Sequence, residues 1–215
     1  MGGPMSRSRT LLVAVLALTA LALAAVPATA APNPDDSDTS ALLARVATGE
    51  ATSNDIARIK QDRDLAAVVI DPERTQASMD VTAVGGPSAR TLDPAAAQAA
   101  SSCYRYTMRI RHKSYLGDTI FRYNFAHSAC YSNGVVSSIY NRQAWFDEKQ
   151  SIVTDHGEIH GFDERVGTNH AEAYSQGRAE LCVVKYGCYA NVYPHINSNV
   201  FGHVAHVWTY GGVSA

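Results

Sequence analysis

Along the run "TDHGEIHG", His156, Glu158 and His160 stand at every second position. In a strand, residues two apart point to the same face, so two imidazoles and one carboxylate would meet there. That donor set suits Zn²⁺ or a similar ion. A metal-dependent hydrolase is the activity it would support, with His203 or His206 as a further ligand from another strand. The spacing is not His-Glu-x-x-His, and simple alternation produces such triples often. A surface strand of ordinary polar residues accounts for the run without any metal. His203 and His206, three apart, fall on opposite sides of a strand, which weakens them as a pair.

A second pattern is cationic. In "RYTMRIRHK", residues 105–113, Tyr106, Met108, Ile110 and His112 alternate with Arg105, Thr107, Arg109, Arg111 and Lys113. With Arg122 on the next segment, Arg105, Arg109, Arg111 and Lys113 make a positive patch on the outward side. As a ligand-binding site it would take an anion, such as an acidic glycan or a cell-envelope polymer. As plain structure it is a solvated strand face whose cations discourage stacking on neighbours, partly neutralised by acids elsewhere in the fold. Nucleic acid is excluded as the partner. Residues 101–215 hold 9 acidic and 10 basic side chains, far from the basic excess such binding needs.

No other chemistry is marked. There is no Gly-x-Ser-x-Gly elbow and no Gly-rich phosphate loop ahead of a helix. No serine or histidine sits in a context that marks a triad, so no catalytic residue and no cofactor is assigned. Tyr186, Tyr189 and Tyr193 would stack on sugar rings if exposed together, and are otherwise core material.

The elements that must carry these residues are unevenly distributed. Residues 1–30 read as a signal peptide: Arg7 and Arg9, then the uncharged run Leu11–Val26, then Ala28-Thr29-Ala30 before the expected cut. The run is short for a membrane span. No second apolar run long enough to cross a bilayer follows, so a secreted, extracellular protein is expected. All four cysteines, all eight histidines and every aromatic lie after residue 100. Residues 31–84 form an acidic arm with two short helices, the second opened by a Thr52-x-x-Asp55 capping box and stopped by Pro72. This arm is either a pro-segment that is later clipped or a spacer, and it is acidic enough to dock on the cationic stripe. Residues 85–102, rich in Gly, Pro, Ala and Ser, read as a linker, and 103–215 as the folded β domain.

Four cysteines in an exported chain argue for two disulfides. If "RYTMRIRHK" and "IFRYNFAHSACY" form a hairpin turning at Leu116-Gly117, the apolar pairs are Ile110 with Tyr123, Met108 with Phe125 and Tyr106 with His127. The same register sets Cys103 opposite Cys130. Cys182 and Cys188 flank "VVKYG", a second tight hairpin. The pairing predicted is Cys103–Cys130 and Cys182–Cys188, with a crossed pairing between the hairpins as the alternative. Asn133-Gly134 marks another hairpin. About seven antiparallel strands follow, and the fold expected is a mainly β antiparallel sandwich, with a small barrel as the alternative.

Several features resemble a group of secreted proteins of high-GC Gram-positive bacteria to which no activity is assigned. They are the early Cys103 followed by alternating aromatics, the Cys130-Tyr131-Ser132-Asn133-Gly134 turn, and the run "CVVKY" leading to "YPHI". The likeness covers the part after residue 100. It departs at Ala129, where the group carries Trp. It implies export and a cystine-bearing β domain, and it brings no functional residues. The function expected is therefore a binding module for an anionic or glycan ligand. The metal-dependent hydrolase and a processed inhibitor or toxin-like factor are the alternatives.

Overall fold

Alternation of apolar and polar side chains from Ser102 onward builds long strands, and these pair entirely antiparallel. The computed structural model describes residues 34–84, 102–203 and 206–211. The signal peptide read over residues 1–30 and nearly all of the linker lie outside them. Three helices come first: α1 (Pro34–Ala47), α2 (Ser53–Gln61) and α3 (Arg63–Val68). Nine strands follow among the described residues: β1 (Ile70–Ala83), β2 (Ser102–Ser114), β3 (Thr119–Ser132), β4 (Val135–Asp147), β5 (Val153–Glu164), β6 (His170–Val183), β7 (Gly187–Val192), β8 (His195–Phe201) and β9 (His206–Gly211).

One sheet has the order β1-β2-β3-β4 and the other β5-β6-β8-β9, with β7 beside β8 along the same edge of β6. The arrangement is a two-sheet β-sandwich, and no barrel closes. Strand number exceeds the expected seven for two reasons. The run "CYANVYPHI" is broken by Pro194, which has no N–H for a ladder, so it yields the end of β7 and the start of β8. The other addition is β1.

The sequence places residues 70–83 in a helical arm, yet they pair with β2 from Ile70↔Ser114 to Ala83↔Tyr104. Pro72 ends helix as expected, but the chain beyond it becomes an edge strand. It bypasses the proline at a register shift between Asp71 and Gln76. Few of its side chains are buried, Ile70 and Met79 being the ones that reach the main core, so its backbone ladder with β2 holds most of its length. The second helix is also divided. Thr52 and Asp55 form the capping box, and then Asp62 both ends α2 and caps α3, accepting from the N–H groups of Asp64 and Leu65. Arg45 of α1 binds Asp55 of α2 through two nitrogens. Those hydrogen bonds hold the Asp55 carboxyl well below the usual carboxylate range.

The helices and both sheets belong to one compact unit. Leu42, Leu43, Ile59, Leu65 and Val69 form a small helical core that Tyr115, Tyr186 and Tyr189 join to the strands. The main core lies between the sheets. The first sheet presents Tyr106, Phe121, Tyr123 and Phe125, all buried. Facing them, β6 presents the small residues Ala171, Ala173, Ser175, Gly177 and Ala179. Gly177 is required by this fit: a Cβ there would lie 2.6 Å from the Tyr123 ring and 2.7 Å from Phe146.

The expected β2–β3 register is present pair for pair, including Arg109↔Asn124, Arg111↔Arg122 and Cys103↔Cys130. Both disulfides are formed, Cys103–Cys130 and Cys182–Cys188. Asn133 and Gly134 take φ of 51° and 74°, the left-handed pair that a two-residue hairpin needs. No helix among the described residues is long and apolar enough to cross a membrane.

Two predictions arise from this architecture. The Cys103–Cys130 bridge spans 27 residues and Cys182–Cys188 only 6. On chain-entropy grounds, removing the first costs about 3.5 kcal/mol and removing the second about 2 kcal/mol. Urea unfolding of C103S/C130S and C182S/C188S should rank them in that order. Second, a protease site inserted between residues 85 and 101 should be cut without releasing the N-terminal fragment, because the β1–β2 ladder persists. The two pieces should co-elute on size exclusion and separate only in denaturant.

Candidate functional site

The cationic face of β2 is outward, as the alternation required, with Tyr106, Met108, Ile110 and His112 buried beneath it. Arg109, Arg111 and Arg122 line a concavity of about 310 Å³ together with Gln76, Ala77 and Ser78 of β1. These side chains are only 21–34% exposed, so their heads are held rather than free. Carboxylates do the holding. Asp80 of β1 pairs with Arg109. Glu148, just past β4, takes Arg111 through Nε and Nη2 at 2.7 and 3.1 Å. Asp147 takes Arg122 through Nε and Nη2 at 2.6 and 2.8 Å, and Glu148 also reaches Arg122. The Arg111 hydrogen bonds draw the Glu148 carboxyl below its ordinary range. Burial alone would raise Asp147, but hydrogen bonding, foremost from Arg122, outweighs it and lowers that carboxyl too.

Arg105 stands apart, donating to the Asn141 carbonyl and Gln143 Oε1. Lys113, at the far end of β2, has no carboxylate partner among the described residues. Of the five cations, the structure gathers three into one concavity. Sequence reasoning missed its other wall, Gln76 and Ser78, although Ala77, Met79, Val81 and Ala83 alternate with polar residues there; that alternation was the signal that would have found β1.

His156, Glu158 and His160 do not converge. Against β6, Asp155 faces Ala179, Glu158 faces Gly177 and His160 faces Gln176, so β5 bulges twice within this stretch. Each extra residue breaks the alternation that would have aligned the triple. Glu158 instead binds Arg142 of β4 at 2.6 Å, His156 lies 3.9 Å from Glu180, and His160 packs edge-on against Phe162 and Tyr174. Among the described residues, the one cluster with metal-ligand proximity is Glu180 with Cys182 and Cys188, and those two sulfurs are already joined to each other. The hydrolase reading loses its ligand set. Tyr189 is likewise committed, donating to the Val68 carbonyl, and Tyr186 packs on the helical core.

A cluster the sequence did not mark lies between the sheets. Ser198 Oγ sits 2.7 Å from His127 Nε2 and 2.7 Å from His206 Nε2, and Tyr106 stacks on His206. A hydroxyl has one proton, so at most one imidazole accepts from it and the other must carry its proton on Nε2. Serine beside imidazole is the pairing that nucleophilic catalysis uses. Here His127 and Ser198 are both fully buried, leaving a substrate no approach to Oγ. The cluster is a clasp between sheets. The signal that would have found it was the alternation of β8, which turns Ile196, Ser198 and Val200 inward.

Fold and site together define a disulfide-braced antiparallel β-sandwich with an arginine-lined concavity on one outer face. No known protein family, curated protein or solved structure matches the chain.

Acid sensitivity follows from the buried histidines. Burial, with His206 nearby, pushes His127 down to about 3; burial pushes His206 and His112 each down to about 4. Unfolded chain takes up these protons near pH 6.5, whereas folded protein refuses them until far lower. The stabilisation is therefore complete above about pH 6.5 and declines toward pH 4, by about 1.4 kcal/mol per pH unit for each such imidazole. Urea midpoints between pH 7.5 and 4.5 should fall accordingly, with a shallower decline in His127→Phe.

Proposed function

We propose that this chain is an extracellular binding module that takes an anionic glycan or cell-envelope polymer at the concavity of Arg109, Arg111 and Arg122. The observation that carries the reading is the convergence of three pre-oriented guanidinium groups beside an amide and a hydroxyl. Guanidinium forks match carboxylate and phosphate oxygens bidentately, and Gln76 and Ser78 add the hydrogen-bonding groups that sugars use. The existing ion pairs do not block it. The Asp80–Arg109 pair, whose carboxylate is 66% exposed, is worth about 0–1 kcal/mol, so a polyanion can displace Asp80 at little cost. Within the concavity three guanidiniums meet three carboxylates, and Arg105, on the same face of β2, adds a cation hydrogen-bonded to neutral groups. Export is supported by the leader-like run of residues 1–30 and by two disulfides, which persist in oxidising compartments.

Titration calorimetry with polygalacturonate and with inorganic polyphosphate tests this. Binding should weaken by about tenfold or more between low salt and physiological salt, and R109E/R111E should abolish it. Equal affinity in that double variant would reject the concavity as the site.

A further inference from the structure

A larger cavity, of about 420 Å³, lies on another part of the molecule. It opens where the C-terminal end of α1 and the start of α2 meet β6 and β7, at the seam between the two cores. Val46, Ile56, Pro72, Tyr115, Leu181 and Tyr189 are among its walls, and no charged side chain lines it. Leu181 and Val192 on its inner side are buried at 1% and 0% exposure, while Thr48 and Pro72 are exposed at its mouth. Its volume falls within the range of small-molecule sites, roughly 300–1,000 Å³. A lining without charge would desolvate any ionic group placed inside at high cost, so the body of the occupant is hydrocarbon. One wall residue, Tyr115, carries a cation against its ring. Lys60 Nζ of α2 lies 5.1 Å from the centroid of the Tyr115 ring, and Lys60 itself is exposed.

We infer that this cavity binds a single-chain fatty acid, with the alkyl tail inside and the carboxylate at the rim near Lys60. The tail supplies the affinity through apolar burial, and the lysine selects an acid over the corresponding alcohol. This site is separate from the arginine concavity and shares no residue with it.

Calorimetry with saturated fatty acids of six to fourteen carbons, each below its micellar concentration, tests the inference on the full chain. Affinity should rise about fourfold for each added CH₂ and then level off once the cavity is full. Ala47→Phe, which fills the space from α1, should lose binding while keeping a native circular dichroism spectrum. Val46→Trp serves the same purpose if that variant does not fold. Lys60→Glu should weaken dodecanoate and leave dodecanol unchanged, and R109E/R111E should bind dodecanoate as the parent does. No saturable binding at any chain length, or affinity climbing without a plateau, would overturn the site. Undiminished binding in a folded cavity-filled variant would do the same. An unchanged acid-over-alcohol preference in Lys60→Glu would overturn the placement of the carboxylate.

Discussion

The pairing of β2 with β3 is the constraint on which everything else hangs. Tyr106 opposite His127, Met108 opposite Phe125 and Ile110 opposite Tyr123 put the large side chains of these pairs on one face. A slip of one residue would turn Arg109 and Arg111 inward, where a guanidinium without a partner costs far more than the pairing returns. The register is therefore steeply determined, and it carries consequences outward in both directions. At the open end it brings Cys103 to Cys130. On the outer face it lines up cations beside Asp80 on one neighbour strand and Asp147 on the other.

The inner face sets how the second sheet must approach. Aromatic rings on β2 and β3 leave room only for small residues opposite, and β6 supplies alanines, a serine and Gly177. Polar contacts then fix the alignment. Tyr123 Oη meets Ser175 Oγ at 2.5 Å, and His127 meets Ser198. Arg142 of β4 crosses to Glu158 and to the Tyr174 carbonyl of β6. Buried polar groups are tolerated only when partnered, so these pairs favour one arrangement of the sheets over neighbouring ones. The bargain is incomplete at His127 and His206, whose Nδ1 atoms are buried without a partner. That places the acid-sensitive point of the fold at its centre.

Charge on the outer face is organised by the same strand order. The acidic N-terminal segment does not wrap over the stripe as a loose arm. Its last stretch lies alongside β2 as an edge strand and contributes one carboxylate, Asp80. Two more come from the end of β4. The result is a set of oriented guanidiniums in a shallow hollow. That differs from a bare cationic strip in directionality: the Arg111 and Arg122 forks are held by Glu148 and Asp147, so much of their side-chain entropy is already spent.

Local pattern alone was enough for the hairpin register, the Asn133-Gly134 turn and the Thr52–Asp55 cap, and it favoured the two disulfides over a crossed pairing and the β-sandwich over a barrel. In each case neighbours in sequence, or an alternation of period two, carry the whole signal. It was overlooked at β1, where Ala77, Met79, Val81 and Ala83 do alternate with polar residues, but small side chains and the absence of aromatics make the signal faint beside that of β2 and β3. It misplaced His156, Glu158 and His160, since bulges arise from fitting β5 to β6 and leave no mark in β5 itself. It was silent on Ser198 between two imidazoles and on the cavity beside Tyr115. Those depend on which faces two sheets and three helices turn toward each other, a matter settled by packing between segments far apart in the chain.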